Sequence, residues 1–119
     1  MRVFQVIFLS AALAMLVAGC ESACENEIAG NTASPSGRTK AVEFHRNCGA
    51  TTGFNTQVSV LPMAAQLPDE GGNALVIEGS APLQMRWISD SSLLIEGSGS
   101  AKVFKQESWV GEVKISYAN

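Results

Sequence analysis

Past its apolar start, this chain places apolar side chains with a period of two and nowhere in the three-to-four spacing of a helix face, which confines it to sheet architecture. Val42 and Phe44 alternate with Glu43 and His45, predicting a half-buried strand that ends near Asn47 and Cys48. Gln57 to Leu61 repeats the pattern with Val58 and Val60 inward. Ala74 to Glu78 instead carries the run Leu75, Val76 and Ile77, the mark of a strand buried on both faces. Leu83, Met85 and Trp87 alternate with Gln84 and Arg86 before Ser89-Asp90-Ser91 turns the chain into Leu93 to Glu96, a hairpin pattern. Ala101 to Lys105 and Trp109 to Tyr117 read as the last two strands, with Val113, Ile115 and Tyr117 on one face.

Turn chemistry separates these runs. Ser34-Pro35-Ser36-Gly37 has Pro second and Gly fourth, as a type I turn prefers, and Gly97-Ser98-Gly99-Ser100 reads as a flexible loop. Asn26 to Ser34 is rich in small and polar residues. Pro62, Pro68 and the stretch Asp69 to Asn73 lie in a connection of about a dozen residues. The expected fold is all-β, a small antiparallel β-sandwich or barrel of about seven short strands behind a cleaved N-terminal signal peptide. Ser34 to Phe44 and Trp87 to Ile95 resemble hairpins of β-propeller blades, but the chain is too short for the four or more blades of a propeller.

The apolar start has its own logic. Arg2 is followed by an apolar stretch from Val3 to Val17, too short for an ordinary membrane span, and small residues Ala18 and Gly19 stand before Cys20. Leu16-Val17-Ala18-Gly19-Cys20 resembles the cleavage site of bacterial lipoprotein precursors. That resemblance implies a signal peptide over residues 1–19, a diacylglyceryl thioether on Cys20 and a lipidated tether over 20–23, and leaves residues 24–119 for the single small β domain that the strand pattern predicts. Each methylene buried in the bilayer contributes about 0.8 kcal/mol, so several acyl chains hold firmly where one is marginal. Glu21 stands where inner-membrane lipoproteins commonly have aspartate. By that sorting rule the expected location is a lipid-anchored position on the inner face of the outer membrane of a two-membrane bacterium.

Charge narrows the partners. The chain has 8 basic and 11 acidic side chains, and Arg2 leaves with the signal segment, so nucleic acid is not an expected partner. Glu21, Glu25 and Glu27 crowd the tether, where a polybasic patch would stand if charge held the protein on anionic lipid. The expected partners are the membrane, through the N-terminal lipid, and an envelope protein near the membrane surface.

With Cys20 carrying lipid, Cys24 and Cys48 remain in an oxidising compartment and are expected to form a disulfide. A competing reading takes Cys24, His45 and Cys48 as metal ligands, for which no fourth ligand is evident. No metal or cofactor is expected. If the disulfide forms, only Glu21, Ser22 and Ala23 separate it from Cys20, and four residue steps reach at most about 14 Å. The domain then lies close to the bilayer.

The segment from Cys48 to Ser59, with the Ser-Pro-Ser-Gly turn and the stretch from Leu67 to Asn73, resembles small, functionally uncharacterised bacterial secreted or lipid-anchored proteins. The resemblance implies the domain limits and the disulfide and no reaction. The Cys48 to Thr56 loop is the main binding candidate: it offers hydroxyls at Thr51, Thr52 and Thr56 beside Phe54, with glycine amides that can form an anion nest. Its plain alternative is a disulfide-pinned turn leading into the next strand. Trp109 follows polar Gln106-Glu107-Ser108 and is a candidate contact residue if exposed.

Catalytic material is sparse. His45 is the only histidine, and alternation sets it opposite Val42 and Phe44 as a solvated strand residue. Gly97 to Ser100 lacks the strand-to-helix setting of a nucleophile elbow, and adjacent Asp69 and Glu70 do not give the spacing of a calcium loop. The expected function is a membrane-anchored, non-enzymatic binding or envelope-maintenance module. The alternatives are a small hydrolase using His45 and the Cys48 to Thr56 loop, or an inhibitor of a cell-wall enzyme.

Overall fold

The structure, a computed structural model, describes residues 24–50 and 52–119, and no helix occurs among them. Cys20, the tether over 20–23, the signal segment and Thr51 lie outside the described residues. Nine strands form: β1 (Glu25–Ala33), β2 (Thr39–Asn47), β3 (Asn55–Pro62), β4 (Leu75–Glu78), β5 (Gln84–Ser89), β6 (Ser92–Glu96), β7 (Val103–Gln106), β8 (Trp109–Val110) and β9 (Val113–Ala118). They make a five-stranded sheet in the order β1-β2-β3-β4-β7 and a four-stranded sheet in the order β5-β6-β9-β8, packed face to face.

The all-β reading holds, with three corrections. Asn26 to Ser34 contributes most of a nine-residue strand, β1, paired to β2 from Glu25↔Asn47 to Ala33↔Lys40 with a bulge between Ile28 and Gly30. As an edge strand, β1 is placed by backbone pairing and needs little apolar signal of its own. The single strand expected over Trp109 to Tyr117 is two, because Gly111 adopts φ +57° and closes a two-residue turn between Val110 and Val113. The second sheet is mixed: β6 and β9 run parallel, from Ser92↔Lys114 to Glu96↔Ala118. That arrangement is possible because the chain leaves β6, adds β7 to the other sheet, and returns.

The hairpin turn over Ser34 to Gly37 forms as its sequence requires. The Gly37 amide donates to the Ser34 carbonyl at 2.9 Å and Gly37 sits at φ +74°. The Ser36 amide also donates to Asp90 Oδ1 at 2.8 Å, joining the turn ends of both sheets and holding the Asp90 carboxyl below the usual carboxylate range.

Between the sheets lie Ala41, Val58, Val60, Leu75 and Ile77 from the first and Leu93, Ile95, Val113 and Ile115 from the second. The Trp87 indole donates to the Thr32 carbonyl at 2.9 Å, so the sandwich is closed along β1 and β5 by a side chain bonded to backbone. On the far side Tyr117 spans the gap, its hydroxyl 2.7 Å from the Glu107 carbonyl and 3.2 Å from that of Ala74. Burial, then the nearby Glu107 charge, push the Tyr117 phenol up to about 12. The stability tied to its neutral form is therefore complete below the ordinary phenol value and lost as pH rises through about 12. Tyr117→Phe is expected to cost about 1 kcal/mol in denaturant unfolding at neutral pH, with the gap from the native chain closing towards strongly alkaline pH.

A second cluster covers the outer face of the first sheet. Val42, Phe44 and Leu61 pack under Ala65 and Leu67 from the β3–β4 connection, which folds back as a strap. The strand buried on both faces is accordingly β3, while Val76 of β4 stays half-exposed. Gln57 and Ser59, polar positions that alternation directs to solvent, are buried because they bind this strap. Gln57 Oε1 accepts from the Gly72 amide at 2.7 Å, Ser59 Oγ accepts from the Asn73 amide at 3.0 Å, and Asn73 bonds both backbone groups of Val60. Gly72 has no room for a side chain: a Cβ there would lie 2.7 Å from the Val58 carbonyl oxygen. Arg46 holds the strap from the sheet side, pairing with Asp69 at 3.0 Å.

Candidate functional site

Strand lengths decide where the protein is open. β1 and β2 have nine residues each, whereas the facing strands β5, β6 and β9 have five or six. The first sheet therefore overhangs the second at the end away from the Ser34 to Gly37 turn. The described residues of the β2–β3 loop, 48–50 and 52–54, curl over this ledge and enclose an open cleft of about 670 Å³, lined among others by Glu25, Glu27, His45, Asn47, Thr52 and Phe54.

Register places the cleft side chains. Glu25↔Asn47 and Glu27↔His45 are direct cross-strand pairs on the inner face of the sheet, the face that carries Ala41 and Val58 farther along. The loop is held at both ends. At its start, Cys24 and Cys48 are joined in a disulfide with sulfurs 2.07 Å apart. The Cys48 amide donates to Thr52 Oγ1 at 3.0 Å, and the Thr52 amide to the Gly49 carbonyl at 3.1 Å, with Gly49 at φ +111°. At its end, Asn55 works as a clip: its side-chain oxygen accepts from the Arg46 amide at 3.0 Å and its side-chain nitrogen donates to the Arg46 carbonyl at 2.7 Å.

His45 is half-buried because Phe54 leans over it, with ring centroids 4.8 Å apart. Its Nδ1 lies 2.7 Å from the Asn55 carbonyl oxygen, which accepts only from a protonated nitrogen, so Nδ1 carries a proton and Nε2 is left to a ligand or solvent. Phe54 is itself 59% exposed, so one face of the ring is packed and the rest is presented to the cleft and the outer rim. Glu43 lies on the same face as His45, one step deeper. Burial pushes its carboxyl above the ordinary range, partly offset by the His45 charge. A raised carboxyl favours the fold below its ordinary value and loses that contribution as pH rises through the folded one. Glu43→Gln is therefore expected to raise the melting temperature at neutral pH, with the gain vanishing in acid, as a thermal melt series over pH would show.

The binding residues expected from sequence are partly brought together. Thr52 and Phe54 line the cleft. Thr56 does not: it is fully buried and its hydroxyl donates to the Gly79 carbonyl at 2.7 Å, which makes it a structural tie at the start of β3. Trp109 is exposed as anticipated, at 59%, but it stands apart from the loop. Its partner Lys114 pairs with Ser92, beside the turn that meets Ser36, so Trp109 belongs to the opposite end of the sandwich. His45 lies on the face opposite Val42 and Phe44, as alternation has it, but Phe54 leans over it and leaves it half-buried rather than fully solvated.

Sequence reading missed Glu25 and Glu27 as cleft residues because β1 itself was not legible. Cys24 and Cys48 bond each other and so are not metal ligands. Among the described residues no group of three or more His, Cys, Asp or Glu is placed to hold a metal ion. Compared with known proteins, the chain matches no protein-family model, no curated protein and no solved structure.

Proposed function

We propose that this chain is a lipid-anchored, non-enzymatic binding module of the bacterial cell envelope, and that the cleft at the disulfide end of the sandwich is its binding surface. The observation that carries the reading is the Cys24–Cys48 bond, which ties the entry of the chain into the domain to the loop that forms the cleft. With Cys20 acylated, the short tether over 20–23 keeps this end of the domain within about 14 Å of the bilayer, facing an envelope partner rather than the bulk periplasm. The segment Leu16 to Cys20, with the absence of a basic patch beside it, supports anchoring by lipid and not by charge. By the sorting argument from Glu21, the module belongs on the inner face of the outer membrane.

The test is metabolic labelling with a palmitate analogue and membrane fractionation of the full chain against Cys20→Ser. The expected result is label and membrane association in the native chain only. Equal partition of the two forms into the soluble fraction overturns the anchored reading.

One observation favours a second reading, a small hydrolase: His45, Thr52 and Glu27 share one cleft. The geometry is weaker than a triad needs, because Thr52 Oγ1 is engaged by the Cys48 amide and His45 is oriented by a backbone carbonyl, with no carboxylate behind it. His45→Ala separates the readings. Binding that persists in that variant supports the module; loss of function with the fold intact supports the hydrolase. An inhibitor of a cell-wall enzyme would use the same cleft rim as a docking surface, and rests on architecture alone.

A further inference from the structure

We propose that the first half of β1 accepts an extended segment of a partner protein as an added sheet strand, and that the segment alternates basic with apolar residues. This deepens the reading of the cleft as a binding surface and rests on it.

β1 is the outer strand of the five-stranded sheet, so one row of its backbone groups has no strand beside it among the described residues. Proteins guard such edges with lysine, proline or short length. β1 has nine residues and neither lysine nor proline; its guards are a bulge and the inward-pointing Glu25 and Glu27, which repel an acidic strand and admit a basic one. Its second half is covered by Trp87, which bonds the Thr32 carbonyl, and a bulge between Ile28 and Gly30 separates the halves. In the first half, Glu25 to Ile28, the Asn26 side-chain amide donates to the Pro68 and Glu70 carbonyls of the strap on the outer face, and among the described residues no strand pairs with the edge itself.

Side chains on this half specify the partner. Glu25 and Glu27 point to the inner face, into the cleft beside His45 and Phe54. Ile28 points to the outer face, beside Phe44, and is 54% exposed, an apolar side chain at the rim of a groove it shares with Met63 and Leu67 of the strap. A strand added here sets alternate residues on those two faces. Basic side chains on the inner face meet two carboxylates and the exposed Phe54 ring, and apolar ones on the outer face cover Ile28. The one arginine near this edge, Arg46, is committed to Asp69 on the outer face.

A second copy of this chain is a poorer occupant. Pairing β1 with its own copy sets Glu25 and Glu27 against glutamates. Pairing it with the basic edge β7 of another copy joins unlike edges, so every copy added leaves a further β1 and β7 free and the contact runs on into an open filament rather than closing as a pair.

The experiment is an NMR titration of the full chain in detergent micelles with three capped six-residue peptides: alternating lysine and valine, alternating glutamate and valine, and the lysine peptide with alternate amide nitrogens methylated. The expected result is movement of the Glu25 to Ile28 backbone amides with the lysine peptide, about tenfold weaker binding of the glutamate peptide, and loss with the methylated one. The doubly substituted Glu25→Lys, Glu27→Lys chain should reverse the preference. Movement of His45 and Phe54 signals without the β1 amides, or equal binding of the methylated peptide, overturns strand addition and keeps the cleft as a binding surface. Silence at both places overturns both readings. Concentration-dependent self-association through β1 overturns the choice of occupant.

Discussion

Removing the disulfide, as Cys24→Ser with Cys48→Ser, is expected to lower the unfolding free energy by about 3.5 kcal/mol, from the chain entropy of a closed loop of about 25 residues. For a domain of this size that is a large share of the total. The effect has a local component that distinguishes it from simple loosening. Cys48 begins the loop that forms the cleft, and Glu25↔Asn47 is the first cross-strand pair beyond the bond. In the double variant, hydrogen exchange should rise first at Glu25 to Glu27 and at Gly49 to Asn55, while Leu93 and Ile95 in the core stay protected until global unfolding. A uniform rise across both sheets would mean that the bond stabilises the domain without shaping the cleft.

The second large effect is expected at Phe44→Ala, about 3–5 kcal/mol by denaturant unfolding, because Phe44 is fully buried and anchors the outer cluster beneath the strap. Phe104→Ala, at a position 58% exposed, should change stability by no more than about 0.5 kcal/mol. Limited proteolysis adds a structural readout. Loss of Phe44 leaves Ala65 and Leu67 without their floor, so cleavage should concentrate between Met63 and Gly71. If the strap resists cleavage in that variant, its bonds through Gln57, Ser59 and Asn73 suffice to hold it, and the outer cluster matters less than its burial suggests.

These two effects fall on residues of unequal legibility. Phe44 alternates with Glu43 and His45, and the period of two places it correctly on one face of β2. Nothing in the alternation reveals that the outer face it occupies is also buried, because the strap that covers it is a connection without periodicity. Gln57 and Ser59 mislead for the same reason: they are polar and alternate with valines, yet serve as hydrogen-bond partners beneath the strap. The disulfide is legible from the cysteine count together with the oxidising compartment that the Leu16 to Cys20 resemblance implies. β1 is not, since an edge strand of Glu, Asn, Thr and small residues is held by the register of β2 and gives little apolar signal. That omission also hid the site, for the cleft needs Glu25 and Glu27 across from Asn47 and His45. Thr52 and Phe54 were found through the glycine-rich loop, whereas Thr56 and Trp109 required the topology to be set aside from it.

The account turns on the cleft end of the sandwich being the face that meets a partner. The most direct measurement is in-cell photo-crosslinking with a crosslinking amino acid in place of Phe54, at the cleft, or Trp109, at the opposite end, each with Cys20 present and as Cys20→Ser. The account predicts a discrete crosslinked species from position 54 in the chain that retains Cys20, and none from position 109 or from either Cys20→Ser form. Equal capture from both positions, or capture from position 109 alone, would contradict it.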